Sequence, residues 1–449
     1  MRSSSHPLFR FVEQNLRHLH SALADLDSES LARQSGFLRR LPRKIPLPKL
    51  LLALAGLAAE TTLSLERIAA VISLAAQTPY SKQALQKRLR PQLEQFLAQV
   101  AATLFGQVVA PVKKHGWFAA FQRVLLHDST VEPLPDHLAD LFPGPANGRK
   151  RRYASLKLQF VCDLLQAKVL HLSLSGFTRN DQRASPDILK LLQPGDLIIR
   201  DLGYFVLRVL DQIALAGAFF LSRYHHGVGI YDRATGQALD LAAKLRPGQS
   251  WEGEVLLGRE KVPVRLVAQP VPEAVANKRR RLARSNRDRR LNPSAKHLYL
   301  LGWNIFVTNV PRSVWPAKVL QPIYRVRWRI EIIFKAWKSH LGFRQLNCRT
   351  PNLLRLSVMT KLLFCIAVYR LCDDLELRGE QPRYASLLRV ARILGQCSCW
   401  FAATVLGVSL AQWIEWHLQH HAFYEQRKDR KNFYETLAAA GLSLGGAQK

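Results

Sequence analysis

A phenol, two cations and a carboxylate recur at helical spacing in the segment IYRVRWRIEIIFKAWK. These residues are Tyr324, Arg327, Glu331 and Lys338. At 3.6 residues per turn they fall on one stripe of a helix, within an arc of roughly 60°, and the adjoining face is apolar. Arg327 and Lys338 could hold phosphate oxygens, whereas Glu331 could approach an anionic backbone only through a divalent cation. The stripe favours phosphate chemistry. The alternative is a surface helix in which Glu331 pairs with Lys335, a contact that stabilises by about 0.2–0.5 kcal/mol.

The spacing Tyr-x2-Arg-x3-Glu-x6-Lys resembles the signature of the DDE transposases of the IS4 group, which are bacterial cut-and-paste enzymes of insertion sequences. All four positions match, and the resemblance covers about residues 65–345. It implies an α/β fold with a ribonuclease-H-like mixed-sheet catalytic core. It also implies that three acidic residues hold two Mg2+ ions per active site, with Mn2+ able to substitute. Tyr324, Arg327 and Lys338 would then contact DNA phosphates.

Two further carboxylates resemble the acidic positions of that family. Asp128 in LLHDST closes a predicted first strand, and Asp201 in IIRDLGYF closes a predicted fourth strand. In the implied fold these strand ends meet the helix of Glu331, so the three residues are the candidate catalytic and metal-binding set. Gly203 supports Asp201, because a strand followed by glycine exposes a carboxylate at a sheet edge. Asp128 could instead be a turn residue, since Asp-Ser-Thr is good turn chemistry.

Other polar residues near these positions have structural alternatives. Four aspartates fit a hairpin turn, a polar loop with a helix start, or a helix interior: Asp163, Asp181, Asp187 and Asp211. Lys157 resembles a basic position near the metals in this family, although a lysine on a half-exposed strand needs no special role. His127 precedes Asp128, and adjacent strand residues point to opposite faces, so we expect it to pack or to act indirectly.

Hydrophobic periodicity divides the chain into three regions. We predict a helical N-terminal DNA-binding domain over 1–118, a ribonuclease-H-like catalytic domain over 119–345, and a helical C-terminal domain over 346–449 that could support dimerisation. The strand-like runs of the central region are Phe121–Leu126, Leu156–Cys162, Val169–Leu174, Asp196–Ile199 and Ala218–Ser222. A last strand is predicted over LYLLGWNIFVTNV, ahead of the helix that carries Glu331.

Residues from about 228 to 297 interrupt the predicted core. The segments SWEGEVLLG and VPVRLVAQPV read as a hairpin, so the insertion is expected to be rich in β structure. A basic tract follows, with Lys278, Arg279, Arg280, Arg281, Arg284, Arg287, Arg289 and Arg290. The tract could be a solvated linker or a clamp on the DNA backbone. Arg279 and Arg280 are taken as candidate DNA-binding residues.

The N-terminal region contains a possible helix-turn-helix. LERIAAVISLAA is followed by a break at Thr78-Pro79 and then by SKQALQKRLRPQLEQFLAQV, in which Ser81 fits an N-cap. Polar residues on one face of the second helix could enter a DNA groove: Lys82, Gln83, Gln86 and Lys87. An ordinary helical hairpin has the same pattern. The high positive charge of the chain is what favours DNA contact here.

The composition points to nucleic acid. Sixty-five Lys and Arg against 33 Asp and Glu leave a formal charge of +32, far beyond what solubility needs. No segment has the length of a membrane span or the apolar core of a signal peptide, which predicts a cytoplasmic, nucleoid-associated protein without membrane contact. The six scattered cysteines fit a reducing compartment and are expected to be buried free thiols.

Trp303 resembles in position an aromatic residue of transposases that close a DNA hairpin, where an indole can stack on an unstacked base. A tryptophan in an apolar strand is more often a core residue, and the sequence leaves both readings open.

These observations predict a transposase that binds terminal inverted repeats of double-stranded DNA, cleaves the strand and joins its 3′-hydroxyl to target DNA. A homodimer in the active complex follows from the resemblance alone. Two alternatives remain, a catalytically silent DNA-binding protein derived from a transposase and a ribonuclease-H-like nuclease that does not join strands.

Overall fold

The computed structural model describes residues 7–39, 45–60, 63–108, 116–145, 152–165, 168–285, 292–340, 350–377 and 387–413. The strands of its sheet are β1 (Val124–Leu134), β2 (Ala154–Asp163), β3 (Lys168–Gly176), β4 (Leu197–Arg200), β5 (Phe219–Arg223), β6 (Ile230–Asp232), β7 (Trp251–Leu257), β8 (Val262–Pro270) and β9 (Trp303–Thr308). They lie in the order β3-β2-β1-β4-β5-β9-β8-β7-β6. The α/β prediction is confirmed, and the mixed sheet is consistent with a ribonuclease-H-like core.

Sixteen helices appear within the described residues. The N-terminal ones are α1 (Pro7–Ala24), α2 (Ser28–Gln34), α3 (Leu47–Gly56), α4 (Leu65–Ala76), α5 (Lys82–Gln86) and α6 (Pro91–Val108). The central ones are α7 (Asp181–Ala184), α8 (Leu207–Leu215), α9 (Leu241–Lys244), α10 (Glu273–Arg284), α11 (Ala295–Leu300), α12 (Leu320–Arg325) and α13 (Trp328–His340). The last are α14 (Pro351–Leu377), α15 (Leu387–Gln396) and α16 (Ser398–Leu406).

Strand pairing sets the level of each residue in the sheet. β1 pairs antiparallel with β2, and β2 with β3, whereas β1, β4 and β5 run parallel to one another. The carboxyl ends of β4 and β5 therefore lie at one edge of the sheet, the place where open α/β sheets bind ligands. β4 is buried along its whole length and ends at Arg200, so the chain emerges from the core at Asp201.

The first strand is longer than predicted, and this corrects the surroundings of Asp128. β1 continues to Leu134, and it stays paired with β2 up to Leu134↔Ala154. Asp128 therefore lies within a strand rather than closing it, and the turn alternative for Asp-Ser-Thr is wrong. Long-range pairing has overridden the local turn preference of these residues.

Two predicted elements divide into shorter ones. The run LYLLG belongs to α11 and to the turn after it, so the last strand begins only at Trp303. The predicted helix of the signature is two helices, with Tyr324 in α12, Arg327 at the junction, and Glu331 and Lys338 on α13. The amides of Val326 and Arg327 donate to carbonyls three residues back, which tightens the chain at this junction.

The predicted insertion extends the core sheet. β8 pairs with β9 and β7 with β8, so the hairpin continues the sheet beyond its central strands. α10 and α11 follow β8 and precede β9.

Helices from the two ends of the chain pack on one another. The Nζ atom of Lys361, on α14, donates to the carbonyl of Glu60 at 2.9 Å, and the Nδ1 atom of His20, on α1, lies 2.7 Å from the carbonyl of Val405. A Cβ at Gly56 of α3 would lie 3.3 Å from the side chain of Leu406. The terminal helices thus share one apolar core rather than forming two independent layers.

The cysteine prediction is wrong in part. Cys162 is buried, but Cys397 and Cys399 are exposed. Among the described helices, none is long and apolar enough to cross a bilayer.

Candidate active site

Asp128 and Asp201 lie side by side because β1 and β4 are parallel and in register. His127 is level with Arg200, and an aspartate directly follows each of these two residues. Asp201 directly follows β4, as predicted, and 45% of its side chain is exposed. Only 13% of the Asp128 side chain is exposed, because α13 covers this face of β1.

Arg327 joins the three predicted carboxylates. One guanidinium nitrogen lies 2.7 Å from Oδ2 of Asp128, and another lies 2.6 Å from Oε1 of Glu331. The second nitrogen is also 3.6 Å from Oδ1 of Asp201. Residues from β1, from the end of β4 and from the first turn of α13 therefore converge on one side chain that is 10% exposed. The structure thus brings three acids that are distant in sequence to one side chain, and their catalytic and metal-binding roles stay predictions.

Burial and crowded negative charge together set the electrostatics of this cluster. The pKa of Asp128 is raised to about 6, chiefly by burial and in smaller part by the charges of Asp201 and Glu331, against the lowering effects of Arg327 and the Ser129 amide. Burial by itself would lower the pKa of Arg327, but the charge of Asp128 and its neighbours raises it on balance. One guanidinium cannot neutralise three carboxylates, so the cluster retains excess negative charge.

The donor set suits a hard divalent cation. All three side chains offer carboxylate oxygens, which Mg2+ and Mn2+ prefer, and the excess charge favours a cation. Within the described residues, however, no group of three or more His, Cys, Asp or Glu side chains has the geometry of a ready metal site. The guanidinium of Arg327 contacts the carboxylates that would act as ligands.

Lys338 is bound by Glu132, a residue that no sequence motif singles out. Its Nζ atom lies 2.6 Å from Oε1 of Glu132 and donates to the carbonyl of Val131 at 3.2 Å. Glu132 is 3% exposed and lies four residues after Asp128 on the same face of β1. Strand alternation would have identified it if the first strand had been extended past Asp128.

Tyr324 lies in the core rather than on an open polar stripe. It is 8% exposed, and its ring packs on Phe306 of β9 with centroids 5.4 Å apart. Burial raises its pKa to about 12, with a further contribution from the charge of Asp201. The hydroxyl is therefore protonated at neutral pH. Because Tyr324 is buried, its hydroxyl could donate a hydrogen bond only to a phosphate that reached into this part of the core.

The opposite face of β1 carries a second polar group. His127 is fully buried against Tyr204, with ring centroids 4.1 Å apart. Lys157 lies on this face too, level with Val131, and forms a 2.8 Å ion pair with Asp181. Asp181 also accepts a hydrogen bond from Ser129 at 2.7 Å. Lys157 and Asp181 therefore support the sheet behind Asp128, and neither reaches the Arg327 cluster.

The candidate DNA-binding residues differ in exposure. Lys82, Gln83, Gln86 and Lys87 are all exposed, and the Ser81 hydroxyl caps α5 by accepting from Ala84 at 3.2 Å. α5 has only five residues, which is short for a helix that reads a groove.

Arg279 and Arg280 hold α10 in place. Arg279 donates to Asn304 at 2.8 Å and to the carbonyl of Trp303 at 3.3 Å, and Arg280 pairs with Glu273 at 2.8 Å. Lys278, Arg281 and Arg284 are the exposed members of the basic tract. Arg287, Arg289 and Arg290 lie outside the described residues.

Trp303 is a core residue in this structure. Its side chain is 5% exposed and packs on Tyr299, with ring centroids 4.8 Å apart. Its backbone is level with Pro270 of β8, so the insertion covers it. Stacking on a displaced base would require the indole to leave this packing.

Comparison with known proteins gives the class of this chain. Residues 119–367 match the family described as the transposase DDE domain. The transposase of insertion sequence IS231B from Bacillus thuringiensis subsp. berliner is 31% identical, over 73% of this chain and 72% of the relative. The transposase of IS1151 from Clostridium perfringens is 25% identical, over 64% and 65%. The chain belongs to the DDE-domain transposases, in the IS4-like group of insertion-sequence proteins that its signature indicated.

Proposed function

We propose that this chain binds the terminal inverted repeats of an insertion sequence, cleaves double-stranded DNA there and joins the freed 3′-hydroxyl to target DNA. One observation carries the proposal. Asp128, Asp201 and Glu331, which are far apart in sequence, converge on the guanidinium of Arg327. Family membership supports it, because the matched domain contains all three residues.

The three carboxylates are the proposed ligands of Mg2+ or Mn2+, with two ions per site. Such ions, when bound, activate the attacking oxygen and stabilise the leaving oxygen of a phosphodiester. The protein's own contribution is to hold the carboxylates on rigid elements. Asp128 is fixed in a paired strand, and the Ser129 amide donates to its Oδ1 at 2.8 Å.

Arg327 is proposed to exchange partners during the reaction. In the structure it pairs with the carboxylates, whereas the resemblance assigns it to DNA phosphates along with Tyr324 and Lys338. A guanidinium binds carboxylate and phosphate with the same forked geometry, so an incoming phosphate can replace the carboxylates as its partner. DNA binding would then free the carboxylates for metal.

DNA is the proposed partner on the basis of charge as well. The formal charge of +32 suits a protein that neutralises many phosphates. The exposed polar residues of α5 and the exposed cations of α10 are the proposed outer contacts. A homodimer in the complex with two DNA ends, and association with the nucleoid, complete the proposal.

The hairpin route is not carried by the geometry of Trp303. That residue is 5% exposed, so a hairpin intermediate stays a prediction from the resemblance.

The test is cleavage and strand transfer on a labelled duplex carrying the element's inverted repeat. Asp128→Ala, Asp201→Ala and Glu331→Ala should each reduce cleavage by about 10³-fold or more while DNA binding persists. Asp211→Ala, on α8, is the matched control and should cleave normally. Cleavage without joined products would favour a nuclease, and binding without any cleavage by the wild-type protein would favour a silent DNA-binding protein.

A further inference from the structure

We propose that Glu132 is a positioning residue of this site. Through Lys338 it fixes α13 along β1 and thereby places Glu331 opposite Asp128. The inference rests on the proposed function, since it concerns the alignment of the same carboxylates. In this proposal Lys338, the lysine of the signature, has Glu132 as its partner inside the protein.

The contact is buried and close. Glu132 is 3% exposed, and its Oε1 lies 2.6 Å from Nζ of Lys338. The contact joins opposite charges, so it is an ion pair. Lys338 directs a hydrogen bond to the carbonyl of Val131, which fixes the ammonium against the backbone of β1.

Two ion pairs connect the same two elements. Asp128 pairs with Arg327, immediately before α13, and Glu132 pairs with Lys338, near the end of α13. The two acids are separated by roughly 13 Å along an extended strand, and the two cations by roughly 16 Å along a helix. The helix therefore runs along the strand and is held at both ends.

The apolar contacts between the two pairs are less selective. Phe334 packs edge-on against Phe160 of β2, with centroids 6.0 Å apart, and Ile330 and Ile333 are buried beside it. Such surfaces tolerate small rotations or shifts of a helix, because apolar packing has no direction. A rotation of α13 about its axis would move Glu331 away from Asp128, and the Glu132–Lys338 pair opposes it.

Stability alone does not account for a buried glutamate here. The desolvation cost of a buried ion pair offsets much of its attraction, and apolar residues of similar volume are often as stable. Setting the register of one element against another is the best-attested use of such pairs. Glu132 lies on β1 with Asp128, and Lys338 lies on α13 with Glu331. The pair therefore aligns the two elements that carry two of the three acids.

The experiment is Glu132→Gln, which keeps the shape of the side chain and removes its charge. We expect normal folding by circular dichroism, unchanged binding of an end-containing duplex, and a half-saturating Mn2+ concentration for single-turnover cleavage raised about 10-fold, as for lost groups that orient metal ligands. Glu254→Gln, which breaks the exposed pair with Arg233, is the matched control and should match wild type.

A double-mutant cycle separates this role from a direct one. If Lys338 acts through Glu132, then combining Lys338→Met with Glu132→Leu should raise the half-saturating Mn2+ concentration no more than either single change does. If Glu132→Gln does not fold, this double variant still tests the inference, because it removes both charges and leaves none buried and unpaired. Additive effects, or wild-type Mn2+ dependence in a folded Glu132 variant, would overturn the inference. An active Asp128→Ala variant would instead overturn the proposed function.

Discussion

On the proposed function, Arg327 and a divalent cation would compete for the same carboxylates. The guanidinium contacts Asp128 at 2.7 Å and Glu331 at 2.6 Å, so an ion bound by these residues has to replace it. In the free protein the arginine prevents three like charges from repelling one another at close range. Metal affinity should therefore be low until DNA phosphates attract the arginine away.

Arg327→Ala should increase the affinity of the DNA-free protein for Mn2+. A hydrogen bond to a charged group is worth about 1.5–3 kcal/mol, so losing this competitor predicts roughly tenfold tighter binding or more. Electron paramagnetic resonance of free Mn2+ measures this without any cleavage. Arg325→Ala, at an exposed side chain two residues away, is the control. Unchanged or weaker Mn2+ binding by Arg327→Ala would contradict the competition.

Trp303→Ala should destabilise the fold rather than affect one step of the reaction. The indole is buried against Tyr299 of α11, and removing a buried tryptophan costs about 3–5 kcal/mol. Trp303→Phe should lose much less. Denaturant unfolding and first-strand nicking, measured together, check this. A Trp303→Ala protein of normal stability that nicks DNA but forms fewer hairpins would restore the stacking role.

At the scale of single residues, the sequence predicts three acids that the structure brings together, but not their contacts. Their types and spacing carried the signal, and Asp201 lies at the strand end that Gly203 suggested. The burial of Trp303 and Tyr324 depends on which elements cover them, namely β8 and β9. That information is tertiary and cannot be obtained from periodicity.

At the scale of elements, the sequence predicts the bounds of short buried strands closely. It does not predict how far a strand such as β1 is extended by pairing with its neighbour. β4 and β5 match the predicted runs closely, because both are short and buried. β1 continues through Pro133, which lies beyond the four residues paired with β4 and so needs no amide donor on that side. The helix break at Arg327 has no strong breaker in the sequence, and it shows only in the backbone hydrogen bonds.

α5 is the element on which the DNA-reading prediction depends. Lys87→Ala should weaken binding to all duplexes and reduce the salt slope by about 0.9 for each lost phosphate contact. Gln83→Ala should instead reduce the difference between specific and random DNA. Electrophoretic mobility shifts over a salt series measure both, and Arg246→Ala, in an exposed loop of the insertion, is the control. An unchanged slope and unchanged specificity would make this an ordinary helical hairpin.

At the scale of the whole molecule, the ends of the chain stabilise each other. α3 is almost wholly buried, and it packs against α16, more than 340 residues later. The sequence showed apolar faces on these helices but could not show that they meet. The C-terminal faces that suggested a dimer contact are partly occupied within the chain, for example by Phe364 against Phe401. Deleting the N-terminal region is for this reason a poor test of DNA contact, since it would expose the shared core.

Phe401→Ala should therefore loosen a helix far away in sequence. Phe401 is fully buried and packs on Phe364, so its loss should cost about 3–5 kcal/mol and weaken the layer formed by α3 and α16. Hydrogen exchange should become faster in peptides covering α3 as well as in those covering α16, because the two helices share one core. Ile393→Ala, at a side chain that is 55% exposed, is the control and should leave both regions protected. If exchange increases in α16 while α3 keeps its protection, the terminal helices are independent units, and separate N- and C-terminal domains would describe the chain better.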